Sequence, residues 1–129
     1  MDIHVEHVAL WVQDLERARA WWETYFGATA NDLYVNARGF HSYFMTLSEG
    51  SARIELMSDG TQAANTEDRP HDGWGHVALS VGSEDEVVRL TERLVEAGYR
   101  CVSGPRWTGD GYFESCVLDD EGNRVEITV

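Results

Sequence analysis

The chain has 129 residues, 43% hydrophobic and 26% charged, with a formal net charge of −13. That is one domain's worth of core, and the acidity repels phosphate backbones and anionic membrane surfaces, which excludes nucleic acid and membrane as partners. No apolar run approaches the roughly 18 residues of a spanning helix. The start, Met1-Asp2-Ile3-His4, has no basic segment leading into an apolar stretch, and the two cysteines, Cys101 and Cys116, are too few for a disulfide framework and lack metal-type spacing. A cytoplasmic protein with reduced thiols and a small-molecule partner is expected.

In chain order, residues 3–12 alternate and are rich in Val and Leu, a strand. Asp14 is a helix N-cap, and 15–26 follows with Leu15, Ala18, Trp21, Trp22 and Tyr25 at helical spacing up to a stop at Gly27. Trp21 and Trp22 belong to the core. Three short strands fit 31–37, 41–47 and 52–58, separated by Gly39 and by Ser48-Glu49-Gly50. Residues 59–73, from Asp59 to Gly73 with Pro70, form a linker between halves. A strand over 75–82 opens the second half. Ser83 and Glu86 match a capping box ahead of an amphipathic helix over 84–97 that ends at Gly98, and strands fit 99–103, 112–118 and 124–129.

The halves share a phrase. His7-Val8-Ala9-Leu10-Trp11-Val12 and His76-Val77-Ala78-Leu79-Ser80-Val81 agree at five of six positions, and each is answered later by a strand with one carboxylate, Arg53-Ile54-Glu55-Leu56 and Arg124-Val125-Glu126-Ile127. Alternation puts Val8, Leu10 and Val12, and likewise Ile54 and Leu56, Val77 and Leu79, Val125 and Ile127, on aliphatic faces suited to packing under a helix. The opposite faces are mixed and carry His7, Glu55, His76 and Glu126. A lone His or Glu on a strand is more often structural or solvated, but four at repeat-equivalent positions point to a four-ligand divalent metal site inside a cup. His41 has no repeat counterpart, His4 points to the face opposite His7, and His71 lies in the linker; these are expected to be structural or exposed. Trp11, Trp74 and Trp107 lie near the site strands or their loops, where lining a pocket and ordinary packing are equally open.

These residues resemble the vicinal-oxygen-chelate superfamily, also called the glyoxalase/bleomycin-resistance/dioxygenase superfamily. The resemblance rests on His7-Val8-Ala9-Leu10, Trp22-Glu23-Thr24-Tyr25-Phe26-Gly27, Gly75-His76-Val77-Ala78-Leu79 and, most specifically, Asp120-Glu121-Gly122-Asn123-Arg124-Val125-Glu126. It implies an α+β fold of two βαβββ modules forming a curved mixed sheet: a single domain of two repeats, module one over about 1–58 and module two over about 74–129. It also implies a homodimer, with the metal site in many small members assembled from two chains. The set His7, Glu55, His76 and Glu126 looks like that of glyoxalase I, a lyase that works through an enediolate on a thiohemiacetal. The resemblance makes Glu126 the main base and Glu55 its partner. Two imidazoles and two carboxylates suit Zn, Ni, Co, Mn or Fe(II).

Two positions depart from bacterial glyoxalase I. Trp11 stands where an Arg contacts glutathione, and Asp59 where an Asn is usual. The cations left are Arg38, Arg53, Arg106 and Arg124, and a hydrophobic or aromatic substrate with vicinal oxygens suits Trp11, Trp107 and Tyr112 better than glutathione does. The alternatives are another metal enzyme on this scaffold, either a dioxygenase or a thiol transferase acting on an antibiotic, and a metal-free binding protein of the bleomycin-resistance type.

Overall fold

The computed structural model describes Asp2, residues 5–64 and residues 74–129. His4, His71 and most of the linker expected over 59–73 lie outside the described residues. The chain forms two compact units, Met1–Ala64 and Asn65–Val129, each a mixed sheet with one helix. No helix among the described residues is long and apolar enough to cross a membrane.

Unit one runs β1 (His7–Trp11), α1 (Leu15–Phe26), β2 (Thr29–Ala30), β3 (Tyr34–Val35), β4 (His41–Thr46) and β5 (Arg53–Ser58). Its strand order is β1-β5-β4-β2, with β3 also paired to β4. β1 and β5 are parallel, and the other pairs are antiparallel. α1 starts where Asp14 accepts a hydrogen bond from the Arg17 amide and ends at Gly27, whose left-handed backbone at φ 63 favours glycine. Leu15, Ala18, Trp21 and Trp22 are buried along α1, and so are Tyr43, Met45, Ile54 and Leu56, which share one face of β4 and β5. At the helix edge the Tyr43 hydroxyl donates to Glu16 at 2.6 Å. Gln62 closes the strand ends, donating to the Val12 carbonyl at 2.6 Å and to Ser58 Oγ at 3.2 Å.

Of the strand expected over 31–37 only β3 (Tyr34–Val35) forms, and β2 (Thr29–Ala30) lies just before that range. Between them the Asn31 amide donates to the Phe44 carbonyl while its side chain accepts from the Phe44 amide, so the local pairing is met by a side chain.

Unit two repeats the order: β6 (Val77–Ser80), α2 (Glu84–Glu96), β7 (Cys101–Trp107), β8 (Phe113–Leu118) and β9 (Arg124–Thr128), with strand order β6-β9-β8-β7. Again the first and last strands are parallel and the rest antiparallel. Ser83 caps α2 by accepting from the Glu86 amide. Val87, Thr91 and Leu94 are buried on α2, and Ser115, Val117, Val125 and Ile127 are buried on one face of β8 and β9. Thr91 Oγ1 donates to the Val87 carbonyl and lies 2.7 Å from Ser115 Oγ, so both buried hydroxyls are satisfied.

β7 begins later than expected and runs through a bulge. Its pairing with β8 slips between Cys101 and Ser103 and again between Ser103 and Arg106, so Cys101 stands opposite Val117, Ser103 opposite Cys116, Arg106 opposite Glu114 and Trp107 opposite Phe113. Gly104 permits the bulge: its φ is +75, and a Cβ there would collide with the Glu114 main-chain oxygen. Gly104→Ala is therefore expected to destabilise the protein by about 3 kcal/mol or more, read as a lower midpoint in urea.

The turn before β9 is held by Asp119, which accepts hydrogen bonds from the Glu121 amide, the Asn123 amide and Asn123 Nδ2, each at 2.9 Å. Burial still pushes its carboxyl above the usual Asp range, against those bonds. A carboxyl raised on folding contributes stability that is complete below its unfolded pKa and is lost as pH rises through the folded value. The cost of Asp119→Ala is thus expected to be larger at pH 3 than at pH 7, and paired denaturation curves at the two pH values measure the difference.

Candidate functional site

In unit one, parallel pairing sets His7, Ala9 and Trp11 opposite Arg53, Glu55 and Met57. Paired residues share a face, which places His7 and Glu55 together, away from the buried Ile54 and Leu56. His7 Nε2 lies 3.8 Å from Glu55 Oε2, and the Glu55 side chain is only 14% exposed. His7 Nδ1 is paired with Glu6, which also binds the Arg53 guanidinium. The contacts with His7 first, and then Arg53, hold the Glu6 carboxyl below the usual range. Arg53 also covers the Phe44 ring at 4.2 Å, and Phe44 meets the His7 imidazole edge-on at 5.2 Å. Farther along, Trp11 packs edge-on against Phe40 at 6.0 Å, and Phe40 against Tyr34 at 6.1 Å.

In unit two, His76 lies just before β6 rather than within a strand over 75–82. Its Nε2 is nevertheless 3.1 Å from Glu126 Oε2. Glu126 stands opposite Ala78 on β6 and opposite Cys116 on β8. Burial raises the Glu126 carboxyl above its ordinary value; His76 opposes this, and Glu114 and Asp110 add to it. Cys116 is buried and its thiol is raised by burial, so it stays protonated near neutral pH.

Two donor atoms bound to one ion at about 2.1 Å stand about 3.0–3.4 Å apart. The two His–Glu separations, 3.8 and 3.1 Å, lie close to that interval. Imidazole with carboxylate is also a donor set that first-row divalent metals accept. Each pair by itself therefore offers two donors that fit a divalent ion. Among the described residues there is no group of three or more His, Cys, Asp or Glu that could hold a metal, so neither unit carries a complete ligand set in its described part.

The other candidate residues are spread out. Trp11 shares the His7–Glu55 face and is 48% exposed. Trp107 stands opposite Phe113, its ring 5.5 Å away, and so falls on the α2 side of the sheet rather than with Glu126. Arg106 is exposed, lies opposite Glu114 and donates to the Trp107 carbonyl at 3.4 Å. Tyr112, half-exposed, precedes β8, and its amide donates to Thr108 Oγ1. Trp74 is almost wholly exposed. His41 donates from Nδ1 to the Gly39 carbonyl at 2.7 Å. Asp59 accepts from the Thr61 hydroxyl and amide, which hold its carboxyl below the usual range.

Glu6 and Glu114 were not picked out as site residues from the sequence. Glu114 had a usable signal, since alternation over 112–118 puts it on the same face as Cys116.

The sequence profile of the Glyoxalase/Bleomycin resistance protein/Dioxygenase superfamily matches residues 4–127, and the chain belongs to that superfamily. No curated protein matches the chain. A glyoxylase/bleomycin resistance protein/dioxygenase domain from Frankia sp. EAN1pec superposes with a TM-score of 0.83 at 20% identity, covering 100% of this chain and 98% of that one. The trypanothione-dependent glyoxalase I of Leishmania major gives 0.78 at 16% identity, with 98% and 86% covered. The fosfomycin resistance protein FosX of Mesorhizobium loti gives 0.72 at 19% identity, with 99% and 92% covered. At such identities the shared property is the fold. Superfamily members commonly use a divalent metal and are often enzymes.

Proposed function

We propose that the protein is a metal-dependent lyase or isomerase of glyoxalase I type, acting through an enediolate on a small α-oxygenated or thiohemiacetal substrate. The observation that carries this reading is the pairing of a His Nε2 with a Glu carboxylate at repeat-equivalent places in both units. His7, Glu55, His76 and Glu126 would hold the ion. A bound divalent ion supplies Lewis acidity to the substrate oxygens.

The proton transfer falls to the carboxylates. Glu126, its carboxyl raised above the ordinary value by burial, takes the proton from the carbon beside the carbonyl and returns it to the neighbouring carbon. Glu55 serves as its partner. His7 and His76 would offer their Nε2 lone pairs to the ion. The aromatic run Trp11, Phe40 and Tyr34 on the His7–Glu55 face favours a substrate with a hydrophobic or aromatic body, set beside vicinal oxygens, over glutathione. A homodimer belongs to this reading on family grounds, and sedimentation equilibrium tests it.

The test is to load the protein separately with Zn, Ni, Co, Mn and Fe(II). Each form is assayed for isomerisation of methylglyoxal hemithioacetals of glutathione, bacillithiol and an aromatic thiol, and of phenylglyoxal with each thiol. Turnover in at least one metal form supports the reading, with the aromatic substrates expected to react fastest. Binding of metal without any isomerisation, together with catechol cleavage by the Fe(II) form, would replace it with a ring-cleaving dioxygenase.

A further inference from the structure

The two histidines of the repeat are not held alike. His7 follows Glu6, whereas His76 follows Gly75, which has no side chain to offer. Glu6 is fastened at three points: its carbonyl accepts from the Arg53 amide at 3.0 Å, its carboxylate accepts from Arg53 Nε at 2.9 Å, and the other carboxylate oxygen pairs with His7 Nδ1. Arg53 is itself placed by the β1–β5 register, directly opposite His7, and flattened over Phe44. The imidazole is thus gripped at one nitrogen by a carboxylate and on its flank by an aromatic edge, with its other nitrogen toward Glu55.

A carboxylate can only accept, so a neutral imidazole bonded to it must carry its proton on Nδ1. The other ring nitrogen then has a free lone pair. We propose that Glu6 is a positioning residue that fixes His7 in the Nδ1–H tautomer, so that Nε2 is committed to a divalent ion shared with Glu55. The proposal rests on the metal-dependent reading above. Carboxylates placed behind a ligating His in this way orient the ring and make it a better donor. His76 has no such residue beside it in sequence, so the chain's two imidazoles contribute unequally: His7 is preset, and His76 is not preset by a preceding carboxylate.

The experiment has two arms on the full chain, using Glu6→Gln, Glu6→Ala and, as a control on an exposed loop, Glu49→Gln. In the first arm, long-range 1H–15N spectra of the metal-free protein at pH 8 read the tautomer of His7, assigned by its loss in His7→Ala. The wild type is expected to show the Nδ1–H form, and both Glu6 variants a mixture of tautomers. A wild-type His7 in the Nε2–H form, or the same Nδ1–H form in all variants, overturns the proposal. In the second arm, Zn2+ titration by calorimetry is expected to show affinity about 10- to 100-fold weaker in the Glu6 variants and unchanged in Glu49→Gln. Equal Zn2+ affinity in wild type and Glu6 variants also overturns it. If the wild type binds no Zn2+ at all, the metal-dependent reading fails, and the tautomer arm still decides what Glu6 does to His7.

Discussion

Replacing Glu126 with Gln is expected to lower kcat by about 100- to 10,000-fold in the metal-loaded protein, the range over which a positioned general base contributes. Gln keeps the size of the side chain and an oxygen that can approach a cation, but it cannot accept the substrate proton. The surroundings explain the choice of this carboxylate. It is largely enclosed between Ala78 and Cys116 on the neighbouring strands, and Glu114 lies close enough to repel its ionised form, so it holds a proton more readily than an ordinary Glu. His76, 3.1 Å away, opposes that rise. A carboxyl raised in this way is a better base than an ordinary Glu. Glu55→Gln is expected to cost less than Glu126→Gln if Glu126 is the main base. Equal losses would mean that the two carboxylates exchange roles, and full activity in Glu126→Gln would remove Glu126 from the chemistry.

The second large effect concerns the core of unit one. Trp22→Ala is expected to destabilise the protein by about 3–5 kcal/mol, a substantial part of a domain's total stability. Trp22 is 1% exposed, packs edge-on against Trp21 at 5.3 Å and lies 5.2 Å from the Phe26 ring. Its carbonyl also accepts the capping amides of Gly27 and Ala28, so a collapse around the missing ring disturbs the end of α1 as well. Trp107→Ala offers the contrast. That ring is 62% exposed, and its loss should change stability by about 0.5 kcal/mol or less. Urea denaturation followed by circular dichroism measures both, and similar losses for the two variants would contradict this placement of the core.

The elements that carry the fold were legible because each has its own local chemistry. Asp14, Gly27 and Ser83 mark helix ends that the structure reproduces through specific cap hydrogen bonds. Alternation in β5 and β9 separated Ile54, Leu56, Val125 and Ile127 from Glu55 and Glu126, and those four aliphatic residues are buried. What was not legible depended on pairing across strands. A bulge shifts the parity of every later residue in its strand, and β7 has two register shifts, one on each side of Ser103, which set Ser103 opposite Cys116 and Arg106 opposite Glu114. No alternation count over 99–103 could show that. Glu6 was hidden for a related reason. Adjacent residues in a strand point to opposite faces, so a strand over 3–12 would turn Glu6 away from His7, whereas the structure begins β1 at His7 and leaves Glu6 free to reach its neighbour's ring.

Metal analysis of protein purified without chelator bears on all of this at once. If His7, Glu55, His76 and Glu126 are metal ligands as proposed, the wild type contains about one divalent metal ion per chain, and His7→Ala and His76→Ala each lose it while remaining folded. A wild type without stoichiometric metal that also fails to take up added Zn, Ni, Co, Mn or Fe(II) would contradict the reading, and the two His–Glu pairs would then be parts of a metal-free binding surface.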